Sequence, residues 1–312
     1  EHLNEYLPPQ NRRLEASTES EDKPGFTGSA GTAVFCVEGR SQLFVDSRYH
    51  LQAEQTCGLH FDIQKLGNEG VLGPDKWIAG QFGKFLKVGA DPFVMSPILW
   101  RSYKNTIEKE GHTLVPVNPN IVDSLWYDRP SRPRNEIYPL PLKFTGKDSS
   151  TKLRELRNDL KNIGSNKDSN TYLLLLSMLD EIAWLTNLRG SDIEHNPVFE
   201  SYAVIFQDRA ICFCHQTVEN LSKYCPDWEF RPYSEYHNFL KKLALNENVK
   251  VWIDPSSVTM GTLMYFSESQ VLEKESPVIL NKAVKNSSEI SASKNAHKMA
   301  GAGVVRSFSK LQ

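Results

Sequence analysis

The same plan is written twice in this chain. Residues 31–37 and 42–46 are β-rich runs separated by Glu38-Gly39-Arg40, and residues 202–206 and 210–214 are β-rich runs separated by Gln207-Asp208-Arg209. Apolar runs broken by a short turn-forming spacer predict hairpins. Further along each half, Lys87-Val88-Gly89-Ala90-Asp91-Pro92 is matched by Lys250-Val251-Trp252-Ile253-Asp254-Pro255. Each reads as a short strand closed by Asp-Pro, with a helix starting near Ser96 or Ser256. A serine there can accept from free first-turn N–H groups. Repetition of this kind restricts the chain to a duplicated α/β module.

Apolar spacing places further elements. Trp100, Tyr103 and Ile107 recur at three and four residues, as do Leu153, Leu156, Leu160 and Ile163, and Tyr236, Leu240 and Leu243. These spacings predict helices. Strands are expected at 59–65, 112–116, 170–176 and 249–253. Alternating strands and helices imply a mixed sheet flanked by helices in each half. Residues 127–150 collect Pro130, Pro133, Pro139, Pro141 and Gly146, so a regular element is not expected there, and the linker is placed in this stretch. Residues 289–311 read as a helix with no domain of their own to pack on.

Composition excludes several classes. A 312-residue chain has room for two ordinary domains, and 39% hydrophobic with 24% charged residues suits globular packing. A formal net charge of -2 gives no electrostatic reason to expect nucleic acid or an anionic membrane as partner. The longest apolar run is far short of the roughly 20 residues that span a bilayer. The acidic, polar start is not expected to be a signal peptide, and the missing initiator Met suggests residues upstream. Cys36, Cys57, Cys212, Cys214 and Cys225 are few and odd in number, which fits a reducing compartment better than a disulfide framework. The glycosylation triplets at Asn220 and Asn286 read as chance matches.

Chemistry-bearing clusters are sparse. The Gly25–Gly31 stretch lacks the Lys-Ser/Thr of a phosphate loop and precedes a β-run, so close backbone approach explains its glycines better. In Cys212-Phe213-Cys214-His215, strand alternation puts the two cysteines on one face and Phe213 with His215 on the other. Buried cysteines acting as small apolar groups suit this pattern better than a thiolate metal site. Asp192, Glu194 and His195 form no evident acid/base pair, although Arg189-Gly190-Ser191-Asp192 and His195-Asn196-Pro197 could shape a cleft. No His-Glu-x-x-His zinc helix occurs.

A longer ordered signature carries a resemblance. Residues 180–203 read Asp-Glu-Ile-Ala-Trp-Leu-Thr-Asn-Leu-Arg-Gly-Ser-Asp-Ile-Glu-His-Asn-Pro-Val-Phe-Glu-Ser-Tyr-Ala. Ahead of them stand Gly25-Phe26-Thr27-Gly28-Ser29-Ala30-Gly31-Thr32-Ala33-Val34, Asp46-Ser47-Arg48-Tyr49-His50-Leu51-Gln52-Ala53-Glu54 and 123–130. Asn4-Glu5-Tyr6 with Arg12-Arg13 precede, and Lys282-Ala283-Val284-Lys285-Asn286, Glu289 and Ala296-His297 follow. In this order the blocks resemble the N-terminal region of the aminopeptidase P (Xaa-Pro aminopeptidase) family, over nearly the whole chain. Departures are the acidic stretch 14–24, read as a surface insertion, and Ser47, Thr186 and Glu200. A fully buried Glu200 would be costly without a partner.

The resemblance implies an α/β fold of two tandem, similar creatinase/prolidase N-terminal-like domains, 1–130 and 151–285. A linker at 131–150 would join them, and 286–312 would be the first helix of a truncated catalytic domain. It implies a cytoplasmic, fungal or other eukaryotic metallopeptidase whose intact form removes the residue preceding proline. A dinuclear manganese centre would do so with ligands outside this chain, so no catalytic or metal residue is expected here, and the chain alone is expected to be inactive. Arg48 matches a family peptide-binding arginine; pairing with Asp46 on the surface is the alternative. Proline-containing peptides are the implied partners, and a homodimer is compatible. The second reading is a non-catalytic regulatory protein acting through protein partners, with iron-responsive signalling as one setting.

Overall fold

The computed structural model describes residues 25–81, 85–164, 171–215 and 221–311. The blocks around Asn4 and Arg12, the acidic stretch 14–24 (except its neighbour Gly25) and Asn220 lie outside the described residues. The chain divides into two compact units: residues up to Ser131 with Thr259–Gly261, and Arg132–Val258 with Thr262–Gln312.

In the first unit, β1 (Thr32–Val34) pairs antiparallel with β2 (Ser41–Val45), and β2 pairs parallel with β3 (Phe61–Lys65). The predicted hairpin forms, but its first strand stops early, because Cys36 N donates to Ser41 Oγ (3.2 Å) instead of extending the ladder. Helix α1 (His50–Cys57) connects β2 to β3 and buries Ala53 and Cys57 against Phe26, Leu43, Val45 and Phe61. Then come α2 (Pro74–Gln81), β4 (Lys87–Ala90), α3 (Pro97–Lys109) and β5 (Thr113–Pro116), with β4 and β5 parallel in a separate two-stranded sheet. Helix α3 starts as its sequence predicts: Ser96 Oγ accepts from Leu99 N (3.2 Å) and Pro97 occupies the first turn. Its Trp100 and Ile107 are buried with Ile78 and Leu114. Each such burial contributes roughly 1.5–3 kcal/mol. Helix α4 (Ile121–Leu125) closes the unit.

The second unit opens inside the proline-rich stretch, which is more regular than expected. It holds β6 (Tyr138–Pro139), α5 (Leu142–Thr145) and the start of α6 (Ser149–Gly164). The prolines are tolerated because Pro139 sits in a two-residue ladder and Pro141 stands just before α5, where no intrahelical donor is needed. The main sheet runs β11-β10-β9-β7-β12-β13. At its centre β7 (Thr171–Leu176) pairs antiparallel with β9 (Ser201–Ile205) and parallel with β12 (Val249–Ile253). Strand β10 (Ala210–Cys214) completes the second predicted hairpin with β9, and β11 (Trp228–Pro232) and β13 (Val271–Glu273) add in parallel at the edges. The two-residue β8 (Leu188–Arg189) pairs with β6. The sheet is mixed and helix-covered, as the alternation predicts.

Helix α7 (Leu179–Thr186) lies at the start of the 180–203 block, α8 (Tyr236–Ala244) carries the expected apolar stripe, and α9 (Pro277–Ala283) and α10 (Ser287–Phe308) follow. No residue of α10 is buried. Ser256 does not start a helix. Asp254 Oδ1 accepts from both Ser256 N (2.9 Å) and Ser256 Oγ (2.6 Å), which ties the serine into a turn, and the next helical turn begins only at Met260. The two Asp-Pro aspartates do parallel work. Asp91 accepts from Phe93 N and from Asn120 Nδ2, while Asp254 accepts from Ser256 and from Ser276 N. In each case one oxygen closes the turn and the other holds a later segment.

Candidate functional site

In the first unit the chain turns from β2 into α1 through Asp46-Ser47-Arg48-Tyr49. Asp46 Oδ1 accepts from Arg48 N (3.0 Å) and Nε (2.9 Å), and Oδ2 accepts from Nη2 (2.7 Å). The side chain of Arg48 is 63% exposed. That fork holds the Asp46 carboxyl down at about 2. The guanidinium also lies over the Tyr49 ring, 5.1 Å from its centroid. Tyr49 and Gln52 bond to Ser29 Oγ (2.5 Å) and Thr27 Oγ1 (2.7 Å), which seats the glycine-rich stretch on α1. Its glycines make room for Phe26: a Cβ on Gly28 would stand 2.3 Å from the Phe26 ring. Arg48 is therefore a preoriented surface cation. A fixed guanidinium can meet a peptide carbonyl or carboxylate with several donors.

In the second unit the 180–203 block is a hub for buried polar groups. Trp184 Nε1 donates to Glu289 Oε1 (3.0 Å), and Glu289 also completes a capping box with Asn286 at the start of α10. Lys152 is buried on α6, donates to Trp184 O and Asn187 Oδ1 (both 2.7 Å), and lies over the Trp184 ring at 4.0 Å. Burial brings its ammonium down to about 8. Sequence reasoning missed Lys152, although it stands four residues before Leu156 and so falls on the apolar stripe of its helix. Asn187 reaches these groups because it sits in the left-handed region (φ 58°), where asparagine is tolerated. Asn286 is thus a helix cap, whatever its triplet suggests.

Three carboxylates of the block are buried: Glu181, Asp192 and Glu200. Glu181 accepts from Ser276 Oγ (2.7 Å), and burial pushes its carboxyl up to about 7. Its neighbour Asp180 pairs with Lys282. Asp192 accepts from Asn135 N (3.0 Å) and Glu200 N (2.8 Å), and burial raises its carboxyl. Glu200, 2% exposed, is not left without partners: His215 Nε2 lies 3.1 Å and Arg132 Nη1 3.3 Å from its Oε2. His215 stacks on Tyr233 (centroids 4.5 Å apart), and Arg132 lies over the same ring. The structure thus brings Asp192 and Glu200 together. It leaves His195 on an exposed loop beside Glu194 (3.4 Å). Arg189 turns inward to Ala183 O and Leu188 O. Thr186 fits its buried position by donating to Ile182 O (2.7 Å) and accepting from Leu188 N.

The cysteine strand alternates as predicted. Phe213 packs on Tyr236 and Phe239, and His215 follows it onto Tyr233. A hydrogen bond with Cys214 and burial raise the Cys212 thiol, while Cys225 Sγ donates to Thr186 O (3.1 Å). All five cysteines are free. Among the described residues no group of three or more His, Cys, Asp or Glu side chains is placed to hold a metal ion. A dinuclear centre needs several such ligands converging, so these residues do not fit one. No helix among them is long and apolar enough to cross a membrane.

Comparison with known proteins gives a consistent result. The family described as Creatinase/Prolidase N-terminal domain matches residues 128–289. "Aminopeptidase P2" of Arabidopsis thaliana is 34% identical over 310 residues, covering 88% of this chain and 42% of the relative. "Xaa-Pro aminopeptidase 1" of Dictyostelium discoideum is 34% identical, covering 95% and 47%. "Probable Xaa-Pro aminopeptidase P" of Colletotrichum graminicola is 33% identical, covering 100% and 51%. The chain spans about half the length of the curated relatives it matches. Among solved structures, an X-prolyl aminopeptidase from Caenorhabditis elegans, described as a cytosolic enzyme with a di-nuclear active site, aligns with a TM-score of 0.76. The alignment covers 87% of this chain and 45% of that one, at 23% identity, which establishes a shared fold.

Proposed function

The chain belongs to the creatinase/prolidase N-terminal domain family, and on that premise we propose that it is the non-catalytic N-terminal region of a cytoplasmic Xaa-Pro aminopeptidase. The observation that carries the proposal is a pairing of two facts. Named aminopeptidases align with this chain along about half their length. The described residues assemble no cluster of three metal ligands. In this reading the metals, manganese by the family resemblance, are held by residues outside this chain. In this reading the region comprises two tandem domains, 1–130 and 151–285, with 131–150 between them. Helix α10, fixed at its start by Asn286 and Glu289, would lead into the catalytic part. The relatives' names support this hydrolytic reading over the regulatory one. The test compares this 312-residue chain with the intact protein, using manganese and a Xaa-Pro peptide. Release of the first residue is expected from the intact protein and not from the shorter chain. Turnover by the pure shorter chain sinks the proposal.

Arg48 is the substrate contact in this reading, supported by its exposure and its fixed fork on Asp46. Losing one charge-assisted hydrogen bond costs about 1.5–3 kcal/mol. In the intact enzyme Arg48→Ala is therefore expected to raise the peptide KM by roughly tenfold or more, with kcat and the unfolding midpoint little changed. An unaltered KM removes Arg48 from the cleft.

A further inference from the structure

Arg48 is held along one edge and one face, and that fixes what it still offers. Its Nε and Nη2 donate to the Asp46 carboxylate at 2.9 and 2.7 Å. The Tyr49 ring lies against the guanidinium, 5.1 Å away at its centroid. Both supports are themselves tied down. Asp46 also accepts from Arg48 N (3.0 Å), so the carboxylate and the backbone turn move as one. Tyr49 is bonded through its hydroxyl to Ser29 Oγ (2.5 Å) and meets the Phe26 ring edge-on, with centroids 5.7 Å apart. Phe26 is buried in the cluster of Leu43, Val45, Ala53, Cys57 and Phe61. The guanidinium thus takes its orientation from the core beneath it.

The fork on Asp46 uses Nε and one hydrogen of Nη2. It leaves the end of the guanidinium, Nη1 with the outward hydrogen of Nη2, as the donors for a ligand. It also answers the charge. The bonded guanidinium holds the Asp46 carboxyl at about 2, so the pair carries no net charge near neutral pH. A carboxylate brought to the remaining donors faces a second carboxylate across the same guanidinium, and like charges at that range repel. A backbone carbonyl meets no such opposition and needs only a fixed donor.

Resting on the reading of Arg48 as the substrate contact, we propose that Asp46 is a positioning residue that makes Arg48 a neutral, end-on reader of a peptide backbone carbonyl and not of a terminal carboxylate. Peptides are then accepted at this contact whether or not their C-terminus is charged.

The test uses the intact enzyme with manganese and Xaa-Pro peptides of increasing length, each as the free acid and as the C-terminal amide. Removing both members of the pair (Asp46→Asn with Arg48→Ala) keeps the local charge at zero. It is expected to raise KM by about tenfold or more, for acid and amide alike. Asp46→Asn alone keeps an acceptor for the guanidinium but uncovers its charge. A preference for acids is then expected. At low ionic strength the ratio of amide KM to acid KM rises over the parent by about threefold or more for at least one length, and high salt removes the difference. Asp46→Glu restores the negative charge and is expected to abolish that preference. If Asp46 only shapes the turn, its loss changes acid and amide KM together, or only the unfolding midpoint, and that result overturns the proposal. So does a KM increase in the double variant confined to free acids. Unaltered KM in Arg48→Ala is a different failure: it removes the contact itself, and with it the reading on which the role of Asp46 rests.

Discussion

Replacing His215 by alanine is expected to destabilise the chain by about 3 kcal/mol, because it strips a partner from a buried carboxylate. Glu200 is 2% exposed, and its Oε2 lies 3.1 Å from His215 Nε2 and 3.3 Å from Arg132 Nη1. The loss combines two effects. The imidazole also stacks on Tyr233, which itself stacks on Tyr202, so a cavity opens beside the carboxylate. A double-mutant cycle separates packing from charge. In a Glu200→Gln background no carboxylate remains to strand, so His215→Ala should cost at least about 1 kcal/mol less than in the parent. Urea unfolding of the four proteins reads both values. Equal costs in the two backgrounds would mean that the pair is not coupled and that only ring packing holds His215.

The elements were legible wherever one segment decides its own shape. Trp100 and Ile107, or Tyr236 and Leu240, fall on one helical face by spacing alone, and both members of each pair are buried. The hairpins were legible because turn and flanking strands are contiguous. The polar site was not. Glu200 meets His215 across 15 residues and Arg132 across 68, and no local pattern encodes those distances. Glu200 could be flagged as costly if buried, yet its rescue by Arg132 needs the fold of the segment before β6. Ser256 misled for the opposite reason: a local capping rule was overridden by Asp254, two residues away, which captured the serine first. The 180–203 block stood out as a signature, but its spelling does not reveal that Trp184 and Glu181 work by anchoring Glu289 and Ser276.

Glu181 should make the chain lose stability as the medium becomes less acidic, opposite to the usual behaviour of a carboxylate in an ion pair. Its carboxyl is 2% exposed, and burial pushes it from 4.5 up to about 7. Within that window the folded chain holds a proton that the unfolded chain has released. The derivative of stability with pH is therefore negative. The contribution is fully present below about pH 4.5 and is lost as pH rises through 7. Two and a half pH units correspond to about 3 kcal/mol. Burial sets the sign: the Ser276 hydroxyl and Lys282 favour ionisation and Asp180 and Asp254 oppose it, but each acts less strongly than burial. Glu181→Gln keeps an acceptor for Ser276 Oγ and has no charge to desolvate. Its urea midpoint should track the parent near pH 4.5 and exceed it progressively towards pH 8, by about 2–3 kcal/mol at the end of the range. Parallel curves for the two proteins would show that Glu181 ionises as freely in the folded chain as in the unfolded one, and that the buried contact with Ser276 does not set its protonation.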